Sequence, residues 1–146
     1  MSRTGAVPFE TTLRIRDSCL CFHMQRAART LARRFDEALR PIGLTNGQFS
    51  LLMSLNRPEA PGMASVASLL SMDRTTLTAA LKPLERRGLV KVVTDPADRR
   101  GRRLRLTPSG ATLLAQAVPI WERTHLEVTA LLEDADCLRS GLRTIS

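Results

Sequence analysis

Five arginines fall within seven residues, at Arg99, Arg100, Arg102, Arg103 and Arg105, and Asp98 is the acid that accompanies them. Guanidinium groups set this close repel one another unless an anion lies among them, so the run requires a polyanionic partner. The surrounding segment is biased the same way: residues 73–105 hold ten Lys or Arg against four acids, within a chain whose formal net charge is +8. Phosphate suits a forked, permanently charged donor of this kind. Single-stranded nucleic acid is disfavoured, because four Phe, one Trp and no Tyr leave little with which to stack bases. A basic surface alone would also fit a membrane or an acidic protein, so the elements that carry these charges must decide.

The segment Met63 to Gly110 reads as two short helices, a two-stranded hairpin and the start of another helix. The first of the two runs from Met63 to Ser71 on Val66, Leu69 and Leu70, and Met72 and Asp73 make the turn. Asp73 is a good N-cap for the next helix, whose core stripe is Leu77, Leu81 and Leu84 and whose stop is Gly88. Pro83 should kink it. Leu89 to Thr94 is short and β-branched, Asp95-Pro96-Ala97-Asp98 is a turn, and Leu104-Arg105-Leu106 alternates, which predicts a hairpin with Arg99 to Arg103 at its tip. Thr107-Pro108 then opens a helix expected to reach Leu132, with Leu114, Ala117, Val118, Trp121, His125, Val128 and Leu132 on one stripe.

That order is a winged helix-turn-helix. Upstream, residues 1–16 lack sustained periodicity and read as a loose arm. A long helix is expected from Asp17, on Leu20, Met24, Leu31, Phe35 and Leu39, until Pro41 and Gly43 end it. A second helix follows Thr45, with Phe49, Leu52, Met53 and Leu55 inward, and residues 56–62 form a loop. Asp36 and Glu37 fall on a solvated face. Downstream, Asp134 or Asp136 begins a last helix with Leu138, Leu142 and Ile145 inward. The fold class is therefore mainly α with a small β-hairpin wing. One domain spans 1–146, in which 45–107 form the DNA-binding lobe and 1–41 with 108–146 form a helical dimerisation region. The terminal apolar stripes exceed what one winged helix can cover, which predicts a homodimer.

An α-helix fits the major groove and reads base edges from its N-terminal end. Arg74, Thr75, Thr76, Thr78 and Ala79 occupy that end of the Asp73-capped helix, while Lys82 and Arg86 are placed for phosphate. An ordinary solvated basic face is the bland alternative for such a helix. The arginine-rich hairpin that follows tips the balance toward double-stranded DNA, and a two-fold dimer implies a pseudo-palindromic operator.

The run MDRTTLTAALKPLERRGLV followed by DPADRRGRRLRLTPSG resembles the MarR family of bacterial winged-helix repressors. The stretch RAARTLARRFDEALRPIGLTNGQFSLLMSL is similar to the first and second helices of that family. The resemblance implies a homodimer in which the first, fifth and sixth helices interlock. It also implies that Asp98 braces the wing and that Arg100 enters the minor groove, flanked by Arg99. Arg102 and Arg103 replace apolar residues usual after the wing arginine, which should strengthen sequence-independent binding.

Regulators of this family usually answer a small molecule or an oxidant. The segment DSCLCFHM resembles the organic-hydroperoxide-sensing branch, which implies a redox role for Cys21, with Cys19 beside it. That branch holds its thiolate with tyrosines, and the matching positions here are Phe35 and Asn46. The plain alternative for both cysteines is that of small apolar helix residues. A small-molecule effector pocket is the other expectation, with His23, Arg26, Trp121 and His125 as candidate lining. For His125 a hydrogen-bonded core histidine is the competing reading. The scattered Cys and His lack structural-zinc spacing, so neither metal nor cofactor is expected. Nor is enzymatic turnover, since no phosphate loop, nucleophile elbow or paired carboxylates occur. With no stretch of about 20 apolar residues and no signal-peptide core at the N-terminus, a cytoplasmic location is expected. An architectural DNA-binding protein with no effector is the alternative function.

Overall fold

The structure, a computed structural model, describes residues 5–146. Pro8, which has no N–H to donate, immediately precedes helix α1 (Phe9–Ser18). Glu10 in the first turn and Arg16 in the last complement the helix dipole. Much of the expected loose arm is thus helical; its β-branched Thr11, Thr12 and Ile15 and its unburied faces left no periodic signal. Extended backbone at Cys19 (ψ 111°) separates α1 from α2 (Leu20–Leu39). The long helix expected from Asp17 is therefore interrupted near its start. The boundary between two compact units falls inside α2, one unit reaching residue 34 and the other running from 35 to 146.

In the second unit, a short 3₁₀ turn (Arg40–Ile42) ends at Gly43, whose φ of 73° only glycine adopts without strain. Helix α3 (Asn46–Leu55) opens on a capping box, in which the Thr45 hydroxyl accepts from the Gln48 N–H and the Gln48 side chain accepts from the Thr45 N–H. Helices α4 (Met63–Leu69) and α5 (Arg74–Arg86) form the helix-turn-helix, with Ser71 in the turn at φ 51°. Pro83 gives no N–H to the Ala79 carbonyl, yet α5 continues to Arg86.

Strands β1 (Val90–Asp95) and β2 (Asp98–Leu106) pair antiparallel, with Val90 opposite Leu106 and Val92 opposite Leu104. Helices α6 (Pro108–Thr129) and α7 (Ala135–Ile145) follow, the latter capped by Asp134. The start of α6 is locked to the turn between α5 and β1: the Thr107 hydroxyl donates to the Gly88 carbonyl at 2.6 Å and accepts from the Gly110 N–H at 3.0 Å. A Cβ at Gly110 would lie 2.1 Å from the Leu89 carbonyl oxygen, so this close approach requires glycine.

One core holds the second unit together, built on Leu39, Leu51, Leu52, Val66, Leu77, Leu81, Leu84, Leu104 and Ala117. The predicted α5 stripe is buried as expected. Within 45–107 two residues expected inward are not, Met53 at 48% and Leu69 at 56% exposure, and in α7 Leu138, Leu142 and Ile145, also expected inward, are exposed. Leu51 joins the expected Leu52 and Leu55 on the inner face of α3, because a helix packed on two neighbours buries a rotated arc rather than the idealised stripe. Leu126, Leu131, Leu138, Leu142 and Ile145 in α6, α7 and their connection stay exposed.

Candidate DNA interface

The N-terminus of α5 is set by Asp73, whose Oδ1 accepts from the Thr76 N–H at 2.7 Å and whose Oδ2 accepts from the Thr76 hydroxyl at 3.0 Å. These bonds, the backbone one foremost, hold the Asp73 carboxyl below its ordinary range. Thr76, expected among the readers of DNA, is thereby engaged in the cap. With Leu77 and Leu81 inward, the opposite side of α5 carries Arg74, Thr75, Thr78, Ala79 and Lys82, which together line a shallow depression of about 390 Å³. The Thr78 hydroxyl donates to the Arg74 carbonyl at 2.8 Å, so its methyl group is the part left to meet a ligand. Arg86 is exposed in the last turn.

The wing meets this surface. A second depression, of about 260 Å³, is lined by Arg74, Thr78 and Glu85 of α5 together with Val92 and Arg102 of the hairpin. Arg74 and Thr78 belong to both hollows, so α5 and the hairpin share one continuous face.

Pairing along the hairpin shows how the tip is made. Thr94 faces Arg102 and Asp95 faces Asp98, which leaves Arg99, Arg100 and Gly101 without partners on β1 and extrudes them from the ladder. The bulge is braced from within. Asp98 Oδ1 accepts the Arg100 N–H at 3.0 Å, and Arg102 donates to the carbonyls of Arg99 and Gly101, each at 3.2 Å. A Cβ at Gly101 would come 3.1 Å from that of Asp95, so the bend needs a small residue there.

Arg103 differs from the other tip arginines. Its guanidinium donates to the Ala60 carbonyl at 2.8 Å, and its Nε lies 3.2 Å from Asp95 Oδ2, off the axis of a directed hydrogen bond. Asp95 in turn accepts from the Ala97 N–H, and this bond, ahead of the arginine, keeps its carboxyl below the usual range. Arg103 thus fastens the wing to the loop before α4. The free cationic groups of the tip are Arg99 and Arg100, which are exposed. Proximity in sequence could not separate a bracing arginine from a displayed one; strand alternation, which turns 103 away from 102, was the available signal.

The expected effector residues divide between the two units. Up to residue 34, Cys19 sits at the helix break and its Sγ lies 3.5 Å from the Phe22 N–H donor. Cys21 is exposed and accepts from the Gln25 amide at 3.4 Å. His23 places Nε2 3.1 Å from the Asp17 carbonyl oxygen, and the Arg26 guanidinium lies 5.6 Å from the centre of the Phe22 ring. In the second unit Trp121 stacks on His125 at 4.7 Å and on Phe49 at 6.4 Å. Trp121 also lines an apolar cavity of about 510 Å³ with Phe35, Asn46, Phe49, Ser50, Met53 and Val118. Sequence reasoning singled out only Trp121 for that role; Phe49 and Met53, one turn apart, were assigned to the core. Among the described residues no helix is long and apolar enough to cross a membrane.

The profile of the MarR family matches residues 44–101, the lobe that contains α3 to the wing bulge. Over a longer span the chain is similar to the organic hydroperoxide resistance transcriptional regulator of Bacillus subtilis, with 30% identity over 127 residues and 86% of each chain covered. The chain belongs to the MarR family. Among solved structures, the transcriptional regulator MosR of M. tuberculosis in complex with DNA shares 39% identity at a TM-score of 0.81, covering 88% of this chain and 93% of that one. The transcriptional repressor CouR bound to a 23-mer DNA duplex shares 32% identity at a TM-score of 0.80, covering 90% and 94%. This MarR-family chain is a winged-helix DNA-binding transcriptional regulator, and the bulged hairpin that displays Arg99 and Arg100 is its wing.

Proposed function

We propose that the protein is a homodimeric repressor that binds a pseudo-palindromic operator in double-stranded DNA and releases it on a chemical signal. The observation that carries the DNA docking is the continuous face formed by Arg74, Thr75, Thr78, Ala79 and Lys82 with Arg102. In this arrangement Arg74 donates to base edges at the N-terminal end of α5, the Thr78 methyl packs on thymine, and Lys82, Arg86 and Arg102 meet phosphate. Arg100 enters the minor groove, where a narrow groove concentrates negative potential, and Arg99 flanks it. Thr76, Asp98 and Arg103 act through the cap and the wing brace.

The exposed Leu126, Leu131, Leu138, Leu142 and Ile145 support association with a second copy through the helices outside the lobe. The apolar cavity floored by Trp121 and Phe49 favours a sensing regulator over an architectural protein, with an aromatic effector inserted beside Trp121. Cytoplasmic action on the chromosome completes the reading.

The deciding experiment is affinity of wild type and Arg74→Ala for operator and random DNA. Loss confined to the operator, about 1–3 kcal/mol per half-site, is expected. Equal loss on both sequences would remove Arg74 from base reading.

A further inference from the structure

A cavity of about 840 Å³ lies between the hairpin and the loop that precedes α4, and it shares no lining residue with the two depressions of the DNA interface. Its charged lining is Arg57 and Glu59 from the loop with Asp95, Arg103 and Arg105 from the hairpin. The two walls are tied by Arg103 to the Ala60 carbonyl at 2.8 Å and by the Leu104 N–H to the Pro61 carbonyl at 2.9 Å.

Three observations mark this cleft as an anion site. Asp95 is committed to the Ala97 N–H and to Arg103, so among the described residues Glu59 is the one acid of the lining left to balance Arg57 and Arg105. Arg105 stands directly opposite Lys91 across the ladder, both exposed, and like charges so placed destabilise a hairpin unless an anion lies between them. Finally, the Arg103 Nε is shielded from solvent without a directed acceptor. Alternation along the strands puts Val92 and Leu104 toward the core and α5, and Lys91 and Arg105 on the reverse face. Lys91 and Arg105 therefore face away from α5.

We propose that this cleft binds a small tetrahedral oxyanion of the phosphate class, held by Arg57 and Arg105, and that occupancy fixes the wing and alters DNA affinity. Two guanidinium forks on separate walls match the several acceptor oxygens of such a ligand, and the ligand bridges the loop to the hairpin.

The test is calorimetric titration of the full chain with inorganic phosphate at constant ionic strength, using wild type, Arg57→Gln, Arg105→Gln and Lys82→Gln. Saturable binding by wild type is expected, weakened about tenfold by each of the first two substitutions and unchanged by Lys82→Gln. DNA affinity is measured in parallel. Without phosphate, Arg105→Gln should bind DNA as wild type does, and added phosphate should change the affinity of wild type alone. Absence of saturable binding, or equal binding by all four proteins, overturns the site. Binding that leaves DNA affinity unchanged overturns the link to the wing. Loss of DNA affinity by Arg105→Gln in phosphate-free buffer, matching that of Lys82→Gln, would show instead that the DNA backbone occupies the cleft.

Discussion

One oxygen of Asp36, Oδ1, accepts both the backbone N–H of Asn46 at 2.7 Å and its side-chain amide at 2.9 Å. The pair ties the end of α2 to the start of α3, beside the cavity that Phe35 and Asn46 line. The solvated role expected for Asp36 is replaced by that of a tether, and the Asn46 backbone bond is the main reason that its carboxyl titrates below the ordinary value of 3.8. A lowered carboxyl pKa stabilises the folded state above the unfolded value and loses that contribution as pH falls through the folded one. Asp36→Ala should therefore cost about 1 kcal/mol at neutral pH. The difference from wild type should shrink toward zero as pH drops below 3.8, as read by denaturant unfolding across pH. A difference that persists undiminished in acid would show that the carboxylate is not the source.

Salt dependence reports how many phosphates the protein neutralises. Lys82→Ala and Arg102→Ala should each lower the slope of log K against log salt by about 1 for each phosphate no longer neutralised, or about 2 for a symmetric dimer, on operator and random DNA alike. Arg103→Ala should behave differently, leaving the slope near wild type while loosening the wing, visible as faster amide exchange over β1 and β2.

The proposed dimer predicts its operator. With one α5 per subunit, half-sites should be spaced by one helical turn, about 10 bp, in a footprint with two-fold symmetry. Light scattering at micromolar concentration should give twice the chain mass of 16.1 kDa. A monomer there, or an asymmetric footprint, would remove the proposed assembly.

Two effector routes separate cleanly. If Cys21 is the sensor, an organic hydroperoxide should release wild type but not Cys21→Ser from operator DNA, since sulfenic acid or a mixed disulfide places polarity or bulk on α2. If the cavity is the sensor, an aromatic ligand such as a naphthol should quench the single Trp, Trp121, and Val118→Trp should block release by filling the space. Retention of DNA by wild type under both treatments would favour a regulator without an effector.

The sequence by itself determined the winged helix-turn-helix. Its signals are local and repeat over short distances: the Asp73 cap, the Leu77/Leu81/Leu84 stripe, the stop at Gly88, the Pro96-Ala97 turn and the Thr107-Pro108 start depend on neighbours within a few residues. The motif match to the MarR family covers that same stretch, where backbone geometry constrains residue choice most. Tertiary structure decided what those signals cannot carry. Whether an arginine is displayed or used as a brace depends on which carbonyl or carboxylate lies across the fold, and for Arg103 these are Ala60 and Asp95. The joining of Arg74 to Arg102, the tether of Asp36 to Asn46 and the exposure of Met53 likewise follow from how helices rotate and pack against partners distant in sequence, which periodicity along one element does not encode. Helix α1 lay beyond its reach for the opposite reason: it buries no residue, so no apolar period was ever written into it.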